Sequence, residues 1–170
     1  MTNLRVFKTK KKNIAVLIHK RTEIKCFVGV NGIGKKIREG DKRTPTGTFT
    51  FSEVFYRPDK IKLLNVNLPM KKIYKNSFWC VDSKSRFYNQ HRGEKNNYTC
   101  EKLYRDDHLY DIFITLNFNT DPTRKYKGSA IFIHCCDAKK RYTDGCLAFE
   151  KEKIIEILGT IKPYSKLLIY

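Results

Sequence analysis

"SAIFIHCC" (Ser129–Cys136), followed after a basic and polar excursion by "TDGCLAF" (Thr143–Phe149), is the stretch on which the reading of this chain turns. Its apolar residues run consecutively, with neither the 3.6-residue period of an amphipathic helix nor the alternation of a strand with one wet face. That pattern reads as a strand enclosed between two layers. Successive side chains of a strand point to opposite faces, so His134 and Cys136 are expected to share one face, with Cys135 on the other.

Working outward, the front half alternates short apolar runs with turn residues: "LRVF" (4–7), "IAVLI" (14–18), "IKCFVGV" (24–30) and "GTFTFSEVF" (47–55). These are strand signals, as is "DIFITLNFN" (111–119). The region from Tyr56 to about Asp107 is polar and aromatic with few clean periods, and reads as extended loops and short strands covering a site. The convincing helix is "EKEKIIEILGTIKP": Glu150 and Glu152 suit its first turn, Ile154, Ile155 and Leu158 form its apolar face, and Gly159 and Pro163 end it. The expectation is one mainly β domain over residues 1–170, with one or two short helices.

At 20.1 kDa and 41% hydrophobic residues the chain has enough material for a single core without covalent staples. The formal charge of +18 predicts attraction to polyanions. The basic residues are scattered as "KTKKK", "GKK", "MKKIYK" and "DAKKR", and no nucleic-acid-binding motif gathers them, so nucleic acid is not the expected partner. No run approaches the roughly 20 apolar residues of a membrane span, and "IAVLI" is too short for the core of a signal peptide.

Several motifs fail on chemistry. "GVNGIGKK" (29–36) nearly matches a phosphate-binding loop, but Lys36 stands where the magnesium-binding hydroxyl belongs and no helix follows, so a hairpin turn is expected. A zinc site built on His134, Cys136 and Cys146 lacks both a fourth ligand and a Cys-x-x-Cys pair, and no metal or cofactor is expected. With six cysteines, disulfides are open: Cys80 and Cys100 could pair, while Cys26 in an apolar strand reads as a small core residue. His19, His91 and His108 read as surface or structural histidines.

What remains is a strand ending in His134 and a loop able to return Cys146 to it. A free cysteine is only about 3% thiolate at neutral pH, so a histidine that accepts its proton makes it a usable nucleophile. Gly145 allows close approach of the backbone, and the amides of Gly145 and Cys146 could donate to a tetrahedral oxyanion. From residue types alone a Cys-His acyl-transfer site is the favoured reading over the alternatives.

These segments resemble the L,D-transpeptidase (YkuD-like) catalytic domain, in which a histidine after an apolar strand precedes a Ser/Thr-x-Gly-Cys segment. "REGDKRTPTGTF", "YRPD", "WCVD", "YN", "LYRDDHLYD" and "GSAIFIH" match, in order, a branch of that family, so the resemblance spans nearly the whole chain. It implies a β-sandwich-like catalytic domain in a bacterial cell envelope or periplasm. Its substrate would be the tetrapeptide stem of peptidoglycan, cut between a diamino acid and the terminal D-Ala, with transfer to an amine (an envelope protein included) or to water. Cys146 would be the nucleophile, His134 the base, and the carbonyl of Cys135 the group orienting the imidazole. Trp79, Tyr88, Asn89, Thr143 and Asp144 would face substrate. Many members carry a second histidine just before Gly-Cys and an arginine soon after it, where this chain has Asp144 and Ala148. If that arginine holds a substrate carboxylate, Arg105, Arg43 or Arg141 would replace it. A catalytically idle wall-binding module and a basic nucleic-acid-binding protein are the competing readings, and the intact Cys146 and His134 favour activity.

Overall fold

The chain alternates core-facing and solvent-facing residues from its first strand. In the computed structural model, which describes residues 3–62, 65–95, 97–137 and 139–170, β1 (Asn3–Lys8), β2 (Ile14–His19) and β3 (Thr22–Phe27) form an antiparallel meander. Leu4, Val6, Ala15, Leu17, Ile24 and Cys26 point inward. Each large aliphatic side chain so enclosed contributes about 1.5–3 kcal/mol relative to exposure. The short strands β4 (Ile33–Gly34) and β5 (Thr44–Pro45) pair in parallel, and the long β6 (Gly47–Tyr56) follows.

The polar middle of the chain supplies β7 (Met70–Lys72) and then β8 (Phe78–Cys80), β9 (Gln90–Arg92) and β10 (Cys100–Lys102), the last three forming a separate small sheet. This fits the expected short strands and loops, apart from positions 63, 64 and 96, which lie outside the described residues. β11 (Ile112–Leu116), β12 (Phe132–Cys135), β13 (Leu147–Phe149), helix α1 (Lys151–Leu158) and β14 (Lys166–Ile169) complete the order.

The architecture is mainly β, as expected, and its main sheet closes on itself. The nine-stranded order β11-β12-β13-β3-β2-β1-β14-β6-β7 is joined by a further β11–β6 pairing, so opposite walls of one barrel-like sheet enclose the core. Within that ring β14 links the meander to β6 by lying parallel to β1 and antiparallel to β6.

β11 and β12 are buried on both faces because each separates two apolar clusters. Ile112, Ile114, Ile131, Ile133 and Cys135 face the main core, which also takes Ile154, Ile157 and Leu158 of α1. Phe113 and Phe132 face a second, aromatic cluster with Phe55, Trp79 and Tyr110, and Cys146 belongs to it. Phe113 stacks between Phe55 at 4.8 Å and Phe132 at 4.7 Å.

Three expectations change and one is narrowed. The buried face of α1 is Ile154, Ile157 and Leu158, while Ile155 is exposed, because the inward stripe follows i, i+3, i+4 spacing. The Gly29–Lys36 segment does turn, with Gly32 N donating to Gly29 O, but it leads into a strand paired in parallel with β5 rather than into a hairpin. Of the two readings open for His19, surface or structural, the structural one holds, since it is buried against Thr160. Cys136 is the expected core thiol, but Cys135 takes that place, since β12 ends at Cys135 and Cys136 is only half-buried beyond it.

Candidate active site

The parallel register of β12 and β13 builds the centre. Ile133 aligns with Leu147 and His134 with Ala148, which sets Cys146 beside Phe132 and on the face that carries His134. Two residues of strand rise and one interstrand spacing put the Cα atoms of His134 and Cys146 about 8 Å apart, a gap their side chains can close. Both border one cavity of about 420 Å³. His134 Nδ1 lies 2.7 Å from the carbonyl oxygen of Cys135. A carbonyl only accepts, so Nδ1 carries the proton and Nε2 is left as the basic nitrogen. The edge of Tyr110 packs at right angles to the imidazole, with centroids 5.5 Å apart.

The thiol is held from two sides: Cys146 Sγ donates to Ala130 O at 3.0 Å and accepts from Phe132 N at 3.3 Å. Ala130 has φ +52°, a left-handed conformation that an alanine adopts only when its surroundings impose it. Asn89 imposes it. Its Oδ1 accepts from Ala130 N at 2.9 Å and from Trp79 Nε1 at 3.1 Å, while its Nδ2 donates to Phe118 O and Asn119 O at 3.0 and 2.8 Å. Tyr88 works in the same scaffold, donating to Glu39 and accepting from Gly128 N. Trp79, Tyr88 and Asn89, expected to face substrate, are thus buried residues whose polar atoms are spent inside the protein, and they act through the position of Ala130.

The turn before the cysteine is tied down in the same way. Thr143 Oγ1 donates to Cys146 O at 2.7 Å and accepts from Gly145 N at 3.1 Å. The Gly145 amide is therefore already engaged, which corrects its expected part in an oxyanion hole. Its requirement is conformational: φ is +144°, and a Cβ would lie 3.0 Å from Arg43 O and 3.1 Å from Ile131 Cδ1. Thr44 of the "TPTG" segment accepts from Gly29 N and donates to Cys146 O. Beneath the turn, the buried pair Lys36–Asp41 (2.6 Å) joins the loop to Arg43 O, so the residues that spoiled a phosphate loop serve as a strut.

Burial sets the charge state of the centre. Enclosure pushes the Cys146 thiol up to about 12, against the opposing donation from Phe132 N, and lowers His134 to about 4 against its bond to Cys135 O. The resting state at neutral pH is a neutral thiol beside a neutral imidazole, not a thiolate-imidazolium pair. Glu101 and Tyr110, neither of them singled out in the sequence, form the other wall: Tyr110 donates to Glu101 at 2.5 Å. Burial raises Glu101 and, with Glu101's charge, raises Tyr110 well above the ordinary phenol.

Of the three candidate cations, Arg105 reaches the cavity; it grips Asp107 and lies over the Tyr110 ring at 5.6 Å. Arg57, stacked on Tyr104 at 3.4 Å, donates to Arg105 O at 2.7 Å and fixes its backbone. Arg43 and Arg141 do not line the cavity: the first packs beside Gly34, and the second is exposed with its carbonyl bound to Asn13. Thr143 and Asp144 do border it, Asp144 from an exposed position loosely paired with Lys42 and Lys140 at 3.9 and 4.0 Å. Four carboxylates (Glu39, Glu101, Asp137, Asp144) and two cations (Arg105, Lys140) line the cavity of an otherwise strongly basic protein.

A search of curated proteins finds no match to this chain. Among solved structures, Bd1075 of Bdellovibrio bacteriovorus is similar over 99% of this chain and 48% of its own, with 14% identity and a TM-score of 0.48, so the chain spans about half the length of that protein. Residues 5–169 match the L,D-transpeptidase catalytic domain, YkuD, and the chain, nearly all of which that match covers, belongs to this family.

Proposed function

We propose that this protein is a cysteine acyltransferase of the bacterial cell envelope that cleaves the diamino acid to D-Ala bond of peptidoglycan tetrapeptide stems. The observation that carries the reading is the paired geometry of Cys146 and His134. They share one cavity, and the bond from Nδ1 to Cys135 O leaves the imidazole's basic nitrogen free.

His134 Nε2 removes the proton from Cys146 Sγ as sulfur attacks the scissile carbonyl, so charge develops only in the transition state. This suits a site whose burial disfavours both ions beforehand. The Cys146 amide is the remaining backbone donor of the expected pair for the oxyanion. Collapse breaks the C–N bond, the imidazolium returns its proton to the D-Ala amine, and a thioester remains on Cys146. An amine or water, deprotonated by His134, then attacks the thioester and restores the thiol.

The lining suits the zwitterionic end of a diamino acid. Glu101 and Asp144 offer carboxylates to its ammonium group, and Arg105 and Lys140 offer cations to carboxylates of the stem. The +18 charge favours residence on a polyanionic wall.

Intact-mass measurement after incubation with a carbapenem and with tetrapeptide muropeptides tests the assignment. Wild type should gain a covalent adduct and release D-Ala, and Cys146→Ala should do neither. Unmodified wild type with no D-Ala released would leave an idle wall-binding module as the better reading.

A further inference from the structure

We infer that Cys80 and Cys100 are a disulfide-forming site that staples one wall of the catalytic cavity. They are direct Cα partners in the antiparallel pairing of β8 with β10. Val81 N donates to Thr99 O and Leu103 N to Ser77 O, each at 3.0 Å. These mark 81/99 and 77/103 as hydrogen-bonded pairs, and the two-residue alternation of the ladder makes 80/100 a non-hydrogen-bonded pair. At such pairs the Cα atoms approach to about 4.5 Å with both side chains on one face. A disulfide spans Cα separations of about 4.4–6.8 Å, so the strands need not move far to accept one.

The setting makes the pair reactive in an ordered way. Cys80 is fully buried, whereas Cys100 is partly exposed and opens onto the cavity beside Glu101. The Cys100 thiol is raised by burial first and by the neighbouring Cys80 thiol next, a sign that the two sulfurs adjoin.

The oxidant is a disulfide, either a small one such as oxidised glutathione or that of a thiol oxidoreductase. Cys100 loses its proton to solvent and attacks one sulfur of the oxidant, expelling the first thiolate. Cys80 then loses its proton and attacks Cys100 Sγ in the mixed disulfide, expelling the second. Two protein thiols are oxidised by two electrons, and one external disulfide becomes two thiols. The new bond ties β10, and with it Glu101 and the segment leading to Arg105, to β8.

The test uses the full chain, reduced and then equilibrated with oxidised and reduced glutathione at about pH 8, where exchange is fast. Residual thiols are alkylated before intact-mass and peptide analysis. The expected product has lost two hydrogen masses, contains one crosslinked peptide joining Cys80 to Cys100, and melts about 5–10 °C higher than the reduced chain. Cys80→Ser should instead stop at a glutathione adduct on Cys100, and Cys100→Ser, a change at a partly exposed position, should give neither product. Wild type that stops at the Cys100 adduct, or whose crosslink joins other cysteines, overturns the proposal. Peptide mapping reads the bond itself, so the outcome does not depend on the reading of Cys146 as nucleophile.

Discussion

The neutral resting pair predicts an acid-tolerant reaction. His134 is lowered by burial from 6.5 to about 4. At about pH 5 such a histidine is roughly 90% in its basic form, whereas an ordinary one would be about 3%. The second-order rate of carbapenem acylation should therefore stay nearly flat from about pH 8 to about pH 5, where a solvated histidine would lose about thirtyfold. It should then halve near pH 4. Iodoacetamide, which alkylates through the thiolate alone, should meet the opposite handicap. With Cys146 pushed up to about 12, its reaction at neutral pH should run about 10³-fold slower than with an ordinary thiol. Both rates are read by intact mass in the same buffers. An acylation limb near 6.5, or fast alkylation at neutral pH, would refute the neutral pair and require a preformed thiolate-imidazolium pair. The same shift sets a stability limit that must be followed in parallel by circular dichroism. Because the folded value lies below the unfolded one, the contribution of His134 is whole above about pH 6.5 and is lost as pH falls towards 4, at a cost of about 3 kcal/mol. His19 and His91, also lowered by burial, act in the same direction.

Asn89→Asp keeps the size and the tolerance of positive φ but turns the two donations to Phe118 O and Asn119 O into repulsions. Urea unfolding should show a loss of about 2–4 kcal/mol, and acylation should fall with it because Ala130 is released. Gly145→Ala should cost about 1–3 kcal/mol and at least tenfold in acylation rate, read by melting and intact mass, since it strains the turn that delivers Cys146. Glu101→Gln should raise KM about tenfold for stems with a free diamino acid ammonium and leave kcat within about threefold. Stems acetylated at that amine should not distinguish the variant from wild type, and an equal loss on both would remove Glu101 from recognition.

The strands of the meander and the two ends of the Cys-His constellation were legible because each rests on a local rule. Leu4 and Val6, or Ala15 and Leu17, alternate in plain view, and a histidine at a strand end followed by a Gly-Cys turn is a chemical pattern before it is a structural one. β14 was not legible. "KLLI" is four residues long, and what makes it a strand is pairing with β1 and β6, more than a hundred residues away in sequence. The aromatic and amide residues of the middle segment misled for a related reason. The resemblance placed Trp79, Tyr88 and Asn89 against substrate, and only the fold shows that their polar atoms are consumed by one another, by Glu39 and by backbone. Glu101 and Lys36 were hidden in the opposite sense, as members of charged runs that by default face water; burial beside Tyr110 and Asp41 gives them their roles.

These placements resolve the tension between a strongly basic chain and a cavity whose charged lining residues are mainly carboxylates. Long-range attraction to a polyanionic wall needs only net charge, wherever the lysines lie, and falls off within about 8–10 Å at physiological salt. The proposed selection inside the cavity would work at contact distance, where Glu101 and Arg105 count individually. The two tasks can therefore take opposite signs in one small domain. The charges around Cys146 also serve the proposed chemistry, because Glu101 raises the thiol more than Lys36 beneath the turn lowers it. A nearby cation would stabilise the thiolate in advance, whereas Glu101 and Asp144 raise the thiol further and so keep its proton until His134 takes it. Removing that negative surround, as in Glu101→Gln, should then speed iodoacetamide alkylation of the free protein even as it weakens binding of a cationic stem.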